Sequence, residues 1–285
     1  MLKLDIPRLS IAEAIDICSE GITGNPSLRE RLLNNVKRFK IDEFGYVKHA
    51  QKGDLYRIVP LPGPKSKDHL VIDGMYKSEF IKLYESYFRN QGKPGRTIYD
   101  SLMVAADEKC PYCGGVGRPR NLDHYLPKAH YPQFSILPVN LVPSCRDCNM
   151  DGKGDDYAKS EVEQIIHPYL DDERYFSDQW IFAHYLPGND IEPGAIEYFV
   201  SPPDYWEPAQ KKRVEKHFKD FEIALRFSKE AGPRLAVLMN QYKELLDNQV
   251  DKATSKHIIF QSVINASPFI NHWERVMCAT LMLEL

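Results

Sequence analysis

Four of the chain's six cysteines form two Cys-x-x-Cys pairs, Cys110/Cys113 and Cys145/Cys148, a spacing typical of zinc sites. A tetrahedral zinc ion takes four thiolates at roughly 2.3 Å, and a two-residue gap lets one tight turn aim two sulfurs at the same ion. A redox dithiol is the alternative, but no thioredoxin-like βαβ pattern surrounds either pair. The sequence therefore predicts a structural zinc site with 31 residues inserted between its two halves.

The insert and the residue after the last cysteine carry polar side chains in a distinctive order. Asp123 and His124 are adjacent, Asn140 lies in Pro-Val-Asn-Leu, and Asn149 directly follows the last cysteine. In this order the window 110–155 resembles the HNH endonucleases, also called ββα-metal or His-Me finger nucleases. Members with two Cys-x-x-Cys knuckles use zinc to hold the base of the motif together. The resemblance implies a ββα-metal module that hydrolyses phosphodiester bonds.

The resemblance assigns separate roles to these residues. His124 becomes the general base, because a histidine with a reference pKa of about 6.5 can be neutral near pH 7 and accept a proton from water. Asp123 and Asn149 offer oxygen ligands, which suit a catalytic Mg²⁺ or Mn²⁺ ion distinct from the zinc. Asn140 is neither base nor ligand, because in the family this residue hydrogen-bonds loop backbone and orients the base.

Three basic residues of the window are candidate substrate contacts. Arg146 and Lys153 flank Asn149 on the expected closing helix, and Lys128 follows the Asp-His pair. Arginine contacts phosphate as a planar fork and lysine as a point charge. The alternative is that these are solvated surface charges. Lys153 departs from many relatives, in which the lysine follows the asparagine by three residues rather than four.

Length and composition are those of a globular cytoplasmic protein. The chain has 285 residues and is 43% hydrophobic, which is enough for a substantial core. No signal-peptide pattern or apolar run of membrane-spanning length is seen, so we expect a cytoplasmic location without membrane contact. The net charge is −3, and residues 101–160 hold seven basic and seven acidic side chains. Since nucleic-acid-binding domains are usually basic, affinity must come from local patches or from a partner.

Hydrophobic periodicity predicts an α+β fold that is mainly α. We expect an N-terminal helical region at 1–95, the HNH module at 96–170, and a β-hairpin with a C-terminal helical bundle at 171–285. Ser10 and Glu13 form a capping-box pattern that opens the first helix. Basic clusters at 29–40 and 211–219 are expected on helix surfaces, where they face phosphate or solvent.

Further elements follow from local patterns. The expected elements are a helix from about Ser27, a Pro-rich connection at 59–67, a helix at 78–90, a helix at about 97–107, a strand at 116–122, a closing helix from Cys145 or Arg146, a helix at 157–166, hairpin strands at 180–185 and 195–200, and helices from 208 to the end.

The combined pattern predicts a metal-dependent HNH endonuclease, with DNA as the favoured substrate. The stretch 123–149 most resembles the stand-alone HNH nucleases of bacterial anti-phage systems, such as the Septu-type and retron-linked ones, which work beside an ATPase. A partner ATPase that delivers the DNA would explain the missing positive charge. Two alternatives stay open: a zinc-knuckle module that binds nucleic acid or a partner without cutting, and an RNase or toxin built on the same motif.

Overall fold

A computed structural model describes residues 1–62, 67–189 and 194–285, and in these residues the chain is mainly helical with small two-stranded sheets. The α-helices are α1 (Ile11–Glu20), α2 (Pro26–Asn34), α3 (Val36–Gln51), α4 (Lys77–Lys82), α5 (Arg96–Val104), α6 (Arg174–Ser177), α7 (Pro208–Asp220), α8 (Ile223–Asp247), α9 (Lys252–Lys256), α10 (Ser262–Ala266) and α11 (Trp273–Glu284). The strands are β1 (Leu70–Ile72), β2 (Met75–Tyr76), β3 (Asn121–His124), β4 (Leu141–Ser144), β5 (Ile181–Leu186) and β6 (Ala195–Val200).

Shorter helical segments complete the chain. π-helical segments cover Leu83–Phe88, which continues α4, Asp147–Lys153, here called the closing helix, and His257–Gln261, which joins α9 to α10; 3₁₀ turns cover Leu55–Arg57, Pro132–Phe134, Pro138–Asn140 and Glu161–Glu163. The expected α+β, mainly α composition is confirmed. The Pro-rich connection and the loop of the β5–β6 hairpin fall partly outside the described residues.

Helix α1 begins at the predicted capping box. The Ser10 hydroxyl accepts a hydrogen bond from the Glu13 amide at 3.4 Å, and the Glu13 carboxylate accepts one from the Ser10 amide at 2.8 Å. Two amides that the first turn would otherwise leave unpaired are thereby satisfied. The single helix expected from Ser27 is instead two helices, because Asn35 at their junction donates its side-chain amide to the carbonyls of Arg31 and Asp73.

The strand expected at 116–122 lies further along the chain, in β3. The preceding residues are used by the first cysteine turn: the Cys110 amide donates to the Gly117 carbonyl at 2.8 Å, and the Gly117 amide donates to Cys113 Sγ at 3.2 Å. Pro119 then removes a further strand donor. Strand β3 therefore begins only at Asn121, and it runs antiparallel to β4.

The helix expected at 157–166 is wrong, because only the 3₁₀ turn Glu161–Glu163 forms there. The backbone is extended at Ser160 and Gln164, on either side of this turn, and the segment is held by bonds from distant side chains. Arg213 donates to Gln164 O at 2.9 Å and to Ile165 O at 3.1 Å, and the Tyr125 hydroxyl donates to Ile165 O at 2.6 Å. Tertiary contacts thus override a local helical pattern.

Arg213 also corrects the prediction that the basic cluster at 211–219 lies wholly on the surface. Its side chain is buried, and its guanidinium is paired with the equally buried carboxylate of Asp171, with Nη1 at 2.9 Å from Oδ1. The neighbouring Lys212 is exposed, as expected. Arg213 therefore joins α7 to the segment 164–171 and does not face a ligand.

The C-terminal half is built on the predicted hairpin, in which β5 pairs antiparallel with β6. The hairpin packs against α8 and α11, and its apolar side chains join one buried core with residues from the N-terminal and central regions. The boundaries at 95 and 170 remain predictions. None of the helices in the described parts of the chain is both long and apolar enough to cross a membrane.

We expect replacement of Arg213 by methionine to lower the free energy of unfolding by about 3–5 kcal/mol, because Asp171 is then left buried without its partner. Urea denaturation measures this change. The matched control is Lys212→Met on the same helix, whose exposed pair with Glu215 is worth at most about 1 kcal/mol. Equal stability of the two variants would contradict the assignment of a structural ion pair.

Candidate functional site

The four predicted zinc ligands converge in the folded chain. The sulfur atoms of Cys110, Cys113, Cys145 and Cys148 all lie within 4.8 Å of one another, and all four residues are buried and free of disulfides. Four clustered thiol groups of this kind form a suitable donor set for a tetrahedral metal such as zinc. Among the described residues, no other set of three or more His, Cys, Asp or Glu side chains comes this close together.

An arginine from the distant helix α8 contacts this cluster. Arg226 donates from Nη1 to Cys148 Sγ at 3.1 Å and from Nη2 to Cys145 Sγ at 3.5 Å, and it lies 3.5 Å from the Asp147 carboxylate. Four thiolates around one divalent ion leave a net negative charge, which a guanidinium stabilises. No pattern in the sequence predicts this contact, because spacing in the cysteine motif says nothing of a residue 78 positions away.

The motif residues meet at one cleft of about 390 Å³ beside the β3–β4 ribbon. Its lining includes Asp123, His124, Lys128 and Asn149, all of which are candidates from the sequence. The other lining residues are Tyr84, Arg89, Asn121, Leu122, Pro127, Met150, Gly154 and Asp155. A second cavity of about 370 Å³ has Lys153 in its wall but none of Asp123, His124 and Asn149.

His124 is held in one orientation and one tautomer. Its Nε2 lies 2.9 Å from the Ser135 carbonyl oxygen, which can only accept, so Nε2 carries the hydrogen and Nδ1 is left with its lone pair. The imidazole edge also packs on the ring of Tyr84 with centroids 4.5 Å apart. Burial, aided by the nearby Lys128 charge, lowers the pKa of His124 to about 3. The ring is therefore neutral at physiological pH.

Asp123 is buried next to a lysine. Lys153 Nζ lies 3.4 Å from Asp123 Oδ2 and donates to the His124 carbonyl oxygen at 2.6 Å, while the Tyr112 hydroxyl lies 3.4 Å from Oδ2. Burial raises the pKa of Asp123 to about 6, and the Lys153 charge opposes that rise. Lys153, predicted as a substrate contact, thus lies inside against the motif rather than on the surface.

Asn149 lies on the closing helix, which begins within two residues of the predicted position. Its Nδ2 donates to Asn121 Oδ1 at 2.9 Å, so its own Oδ1 is the side-chain atom left to accept or coordinate. Gly152 lets this helix approach α7 closely, because a Cβ there would lie 2.7 Å from the Phe221 ring. Asn149 and Asp123 thus both line the same cleft.

Asn140 is fully buried and hydrogen-bonds the loop that follows β3. Its Oδ1 accepts from the Leu126 amide at 2.7 Å and from the Tyr46 hydroxyl at 2.9 Å. Its Nδ2 donates to the carbonyls of Leu126 and Phe134, each at 3.1 Å. The residue after Phe134 provides the carbonyl that holds His124. Asn140 thus fixes the loop that orients the imidazole without touching the cleft.

The remaining predicted contacts are distributed around the cleft. Lys128 lines it, with Nζ 3.2 Å from Glu85 and 4.9 Å from the centre of the Tyr84 ring. Arg146 is exposed at the start of the closing helix and does not line the cleft. Tyr84, from the helix expected at 78–90, contacts both His124 and Lys128, a role in the site that the helical pattern alone does not predict.

The fold and the cysteine cluster define a mainly helical protein with a site suited to a structural metal. No protein-family model matches the chain, and no solved structure matches it significantly. The chain is 37% identical to protein ea31 of Escherichia phage lambda over 289 aligned positions, which cover 97% of this chain and 95% of ea31. It therefore belongs to the same family as protein ea31.

A second relative is more distant. Over 143 aligned positions the chain is 29% identical to the Septu protein PtuB of Bacillus thuringiensis. This match covers 47% of the present chain and spans about half, 51%, of PtuB. The likeness is therefore partial on both sides.

We expect Cys145→Ser to remove zinc from the purified protein and to unfold the central segment, because metal binding at such sites contributes directly to folding. Zinc content by mass spectrometry and thermal unfolding measure the two effects. Cys278→Ser, at a buried cysteine outside the cluster, is the control and should retain full zinc content. Full zinc content in Cys145→Ser would refute the ligand assignment.

Arg226→Met should weaken zinc retention by about tenfold, which is the low end of the cost of removing an outer hydrogen-bond partner of a metal ligand. Competition with a chromogenic chelator reports this retention. The control is Arg234→Met on the same helix, where the partner is the distant Glu274. Identical chelator curves for the two variants would show that Arg226 does not stabilise the thiolates.

Proposed function

We propose that this protein is a metal-dependent HNH endonuclease that hydrolyses phosphodiester bonds in DNA. The observation that carries the proposal is the arrangement of the cleft: a neutral histidine with Nδ1 unprotonated lines the same cleft as Asp123 and Asn149, whose side chains carry oxygen atoms. A module that only binds nucleic acid needs no base held in one tautomer next to a metal ligand. The non-cleaving alternative is therefore less well supported.

In the proposed reaction each side chain has a defined task. His124 Nδ1 takes a proton from the attacking water as the new P–O bond forms, and the P–O3′ bond breaks on the opposite side of phosphorus. Asn140 keeps the loop rigid, so that His124 Nε2 stays bonded to Ser135 O and Nδ1 remains the basic atom. Because His124 and Asn140 are both buried, their positions are fixed before substrate binds.

Asp123 and Asn149 would hold a Mg²⁺ or Mn²⁺ ion, and such an ion supplies stabilisation of the charge on the phosphoryl and leaving oxygens. The donor chemistry fits, because both residues present oxygen and share one cleft with room for water. The contacts that now hold Asp123, at 3.4 Å to Lys153 and Tyr112, are at the long end of hydrogen bonding. The carboxylate is therefore available for a stronger ligand bond.

The biological part of the proposal is a role in conflict between phages and bacteria. The distant match to PtuB, a Septu protein, supports it, as does the full-length likeness to a protein encoded by a phage. In line with the sequence pattern, we propose that the protein acts in the cytoplasm beside an ATPase that supplies its DNA. Expression of the protein with and without neighbouring ATPase genes, followed by phage plating, tests this part separately from the chemistry.

We expect purified protein to cleave plasmid DNA with Mg²⁺ or Mn²⁺ but not with EDTA. His124→Ala should reduce the rate by about 10²–10⁴-fold, the usual contribution of a positioned general base. His184→Ala, at an exposed histidine on β5, is the matched control and should retain the wild-type rate.

Parallel reactions on single-stranded DNA and RNA distinguish the DNase from the RNase alternative. Cleavage of RNA alone would favour the second candidate function, a ribonuclease toxin on the same motif. Undiminished DNA cleavage by a folded His124→Ala variant would refute the assigned base.

A further inference from the structure

Most arginine side chains of this protein form hydrogen bonds or ion pairs with other groups. Those that do not are concentrated around the cleft. Among the described residues, nine of the fifteen arginines donate a side-chain hydrogen bond or form an ion pair. The remaining six are Arg8, Arg29, Arg89, Arg118, Arg120 and Arg146. The last four of these belong to the segments that surround the cleft, and all four are exposed.

Two contacts bring Arg118, Arg120 and Arg146 to the same end of the β3–β4 ribbon. The Arg120 amide donates to the Ser144 carbonyl at 2.9 Å, which places Arg120 opposite the segment leading to Arg146. Gly117, the neighbour of Arg118, lies against Cys145, because a Cβ on it would be 2.5 Å from the cysteine sulfur. Pro119 is buried between two exposed arginines, so Arg118 and Arg120 point outward together.

This group is continuous with the cleft. Asn121, the residue after Arg120, lines the cleft and bonds to Asn149. Arg89 lines the cleft as well, together with Lys128. We call Arg89, Arg118, Arg120 and Arg146 the arginine track, which leads from the first cysteine turn to the cleft.

Two acidic side chains beside this group, one next to Arg146 in the chain and one in the cleft wall, are already engaged. Asp147, the neighbour of Arg146, lies 3.5 Å from Arg226. Asp155 in the cleft wall has an interaction of its own. A ligand anion would thus meet guanidinium groups that need not first break an ion pair, and the fork geometry of arginine matches a phosphate group.

We propose that the arginine track binds the phosphate backbone of the DNA strand that flanks the scissile bond. The inference rests on the proposed nuclease function and extends it by assigning the substrate path. The track supplies the local positive surface that a net charge of −3 conceals. Phosphate contacts of this kind position DNA without reading its sequence, so the track would not by itself confer sequence specificity.

The test is a binding measurement independent of cleavage. Wild type and the triple variant Arg118→Gln/Arg120→Gln/Arg146→Gln are titrated with fluorescein-labelled duplex DNA, single-stranded DNA and RNA in buffer without added Mg²⁺ or Mn²⁺, over a range of salt concentrations. The matched control is Arg8→Gln/Lys243→Gln, which removes two exposed basic side chains that do not line the cleft. Circular dichroism verifies that each variant is folded.

We expect the triple variant to bind DNA at least about tenfold more weakly at about 50 mM salt, and the slope of log K against log salt to fall by about 3, or about 1 for each arginine replaced. The control variant should keep the wild-type affinity and slope. If the triple variant kept the wild-type DNA affinity and salt dependence, the proposal that the arginine track binds DNA would be wrong. Mg²⁺-dependent cleavage by wild type would in that case still support the proposed nuclease function.

Other results would also decide the question. Absence of DNA binding by wild type would overturn the track, and the separate cleavage reaction would then show whether the nuclease proposal fails with it. Preference for RNA over both DNA forms would contradict DNA as the ligand. Displacement of DNA by poly-L-glutamate at equal charge concentration would show a surface for acidic proteins instead of a nucleic-acid path.

Discussion

Four cysteine thiol groups from the two ends of the motif meet at one point, and a metal ion bound there would hold the two halves of the site together. The ribbon between them consists of two four-residue strands, and a two-stranded ribbon of that size is marginal in water by itself. Its base is fixed because Cys145 follows β4 directly and the first cysteine turn precedes β3. Its other end is fixed by the Asn140 network. The positions of His124 and Asp123 depend on both anchors.

The buried polar groups of the site each have a partner of complementary charge or hydrogen-bonding capacity. The Asp123 carboxylate lies beside the Lys153 ammonium, and the His124 ring is neutral and bonded to a carbonyl. The cysteine sulfurs face the Arg226 guanidinium. Because a buried group without a partner is costly, this pairing makes the arrangement rigid, and rigidity before substrate arrives is what a hydrolytic site requires.

Patterns of neighbouring residues in the sequence were sufficient to predict those parts of the structure that form between neighbouring residues. The cysteine spacing led to the cysteine cluster, the Ser10 capping box to the start of α1, and two β-rich runs to the β5–β6 hairpin. Contacts between distant segments had no such signal. Arg213 reaches the carbonyls of 164 and 165 from α7, and Arg226 reaches the cysteines from α8, in each case through a side chain far away in the chain.

Side chains from both flanking regions also contact the site. Tyr46 comes from α3 and completes the hydrogen bonding of Asn140, whereas Arg226 comes from α8 and reaches the cysteine sulfurs. A fragment cut at 96 and 170 would lack both, exposing a buried amide and leaving thiolate charge uncompensated. The motif in this protein therefore depends on residues outside it. If recombination moved the motif alone into another protein, that protein would have to supply side chains equivalent to Tyr46 and Arg226.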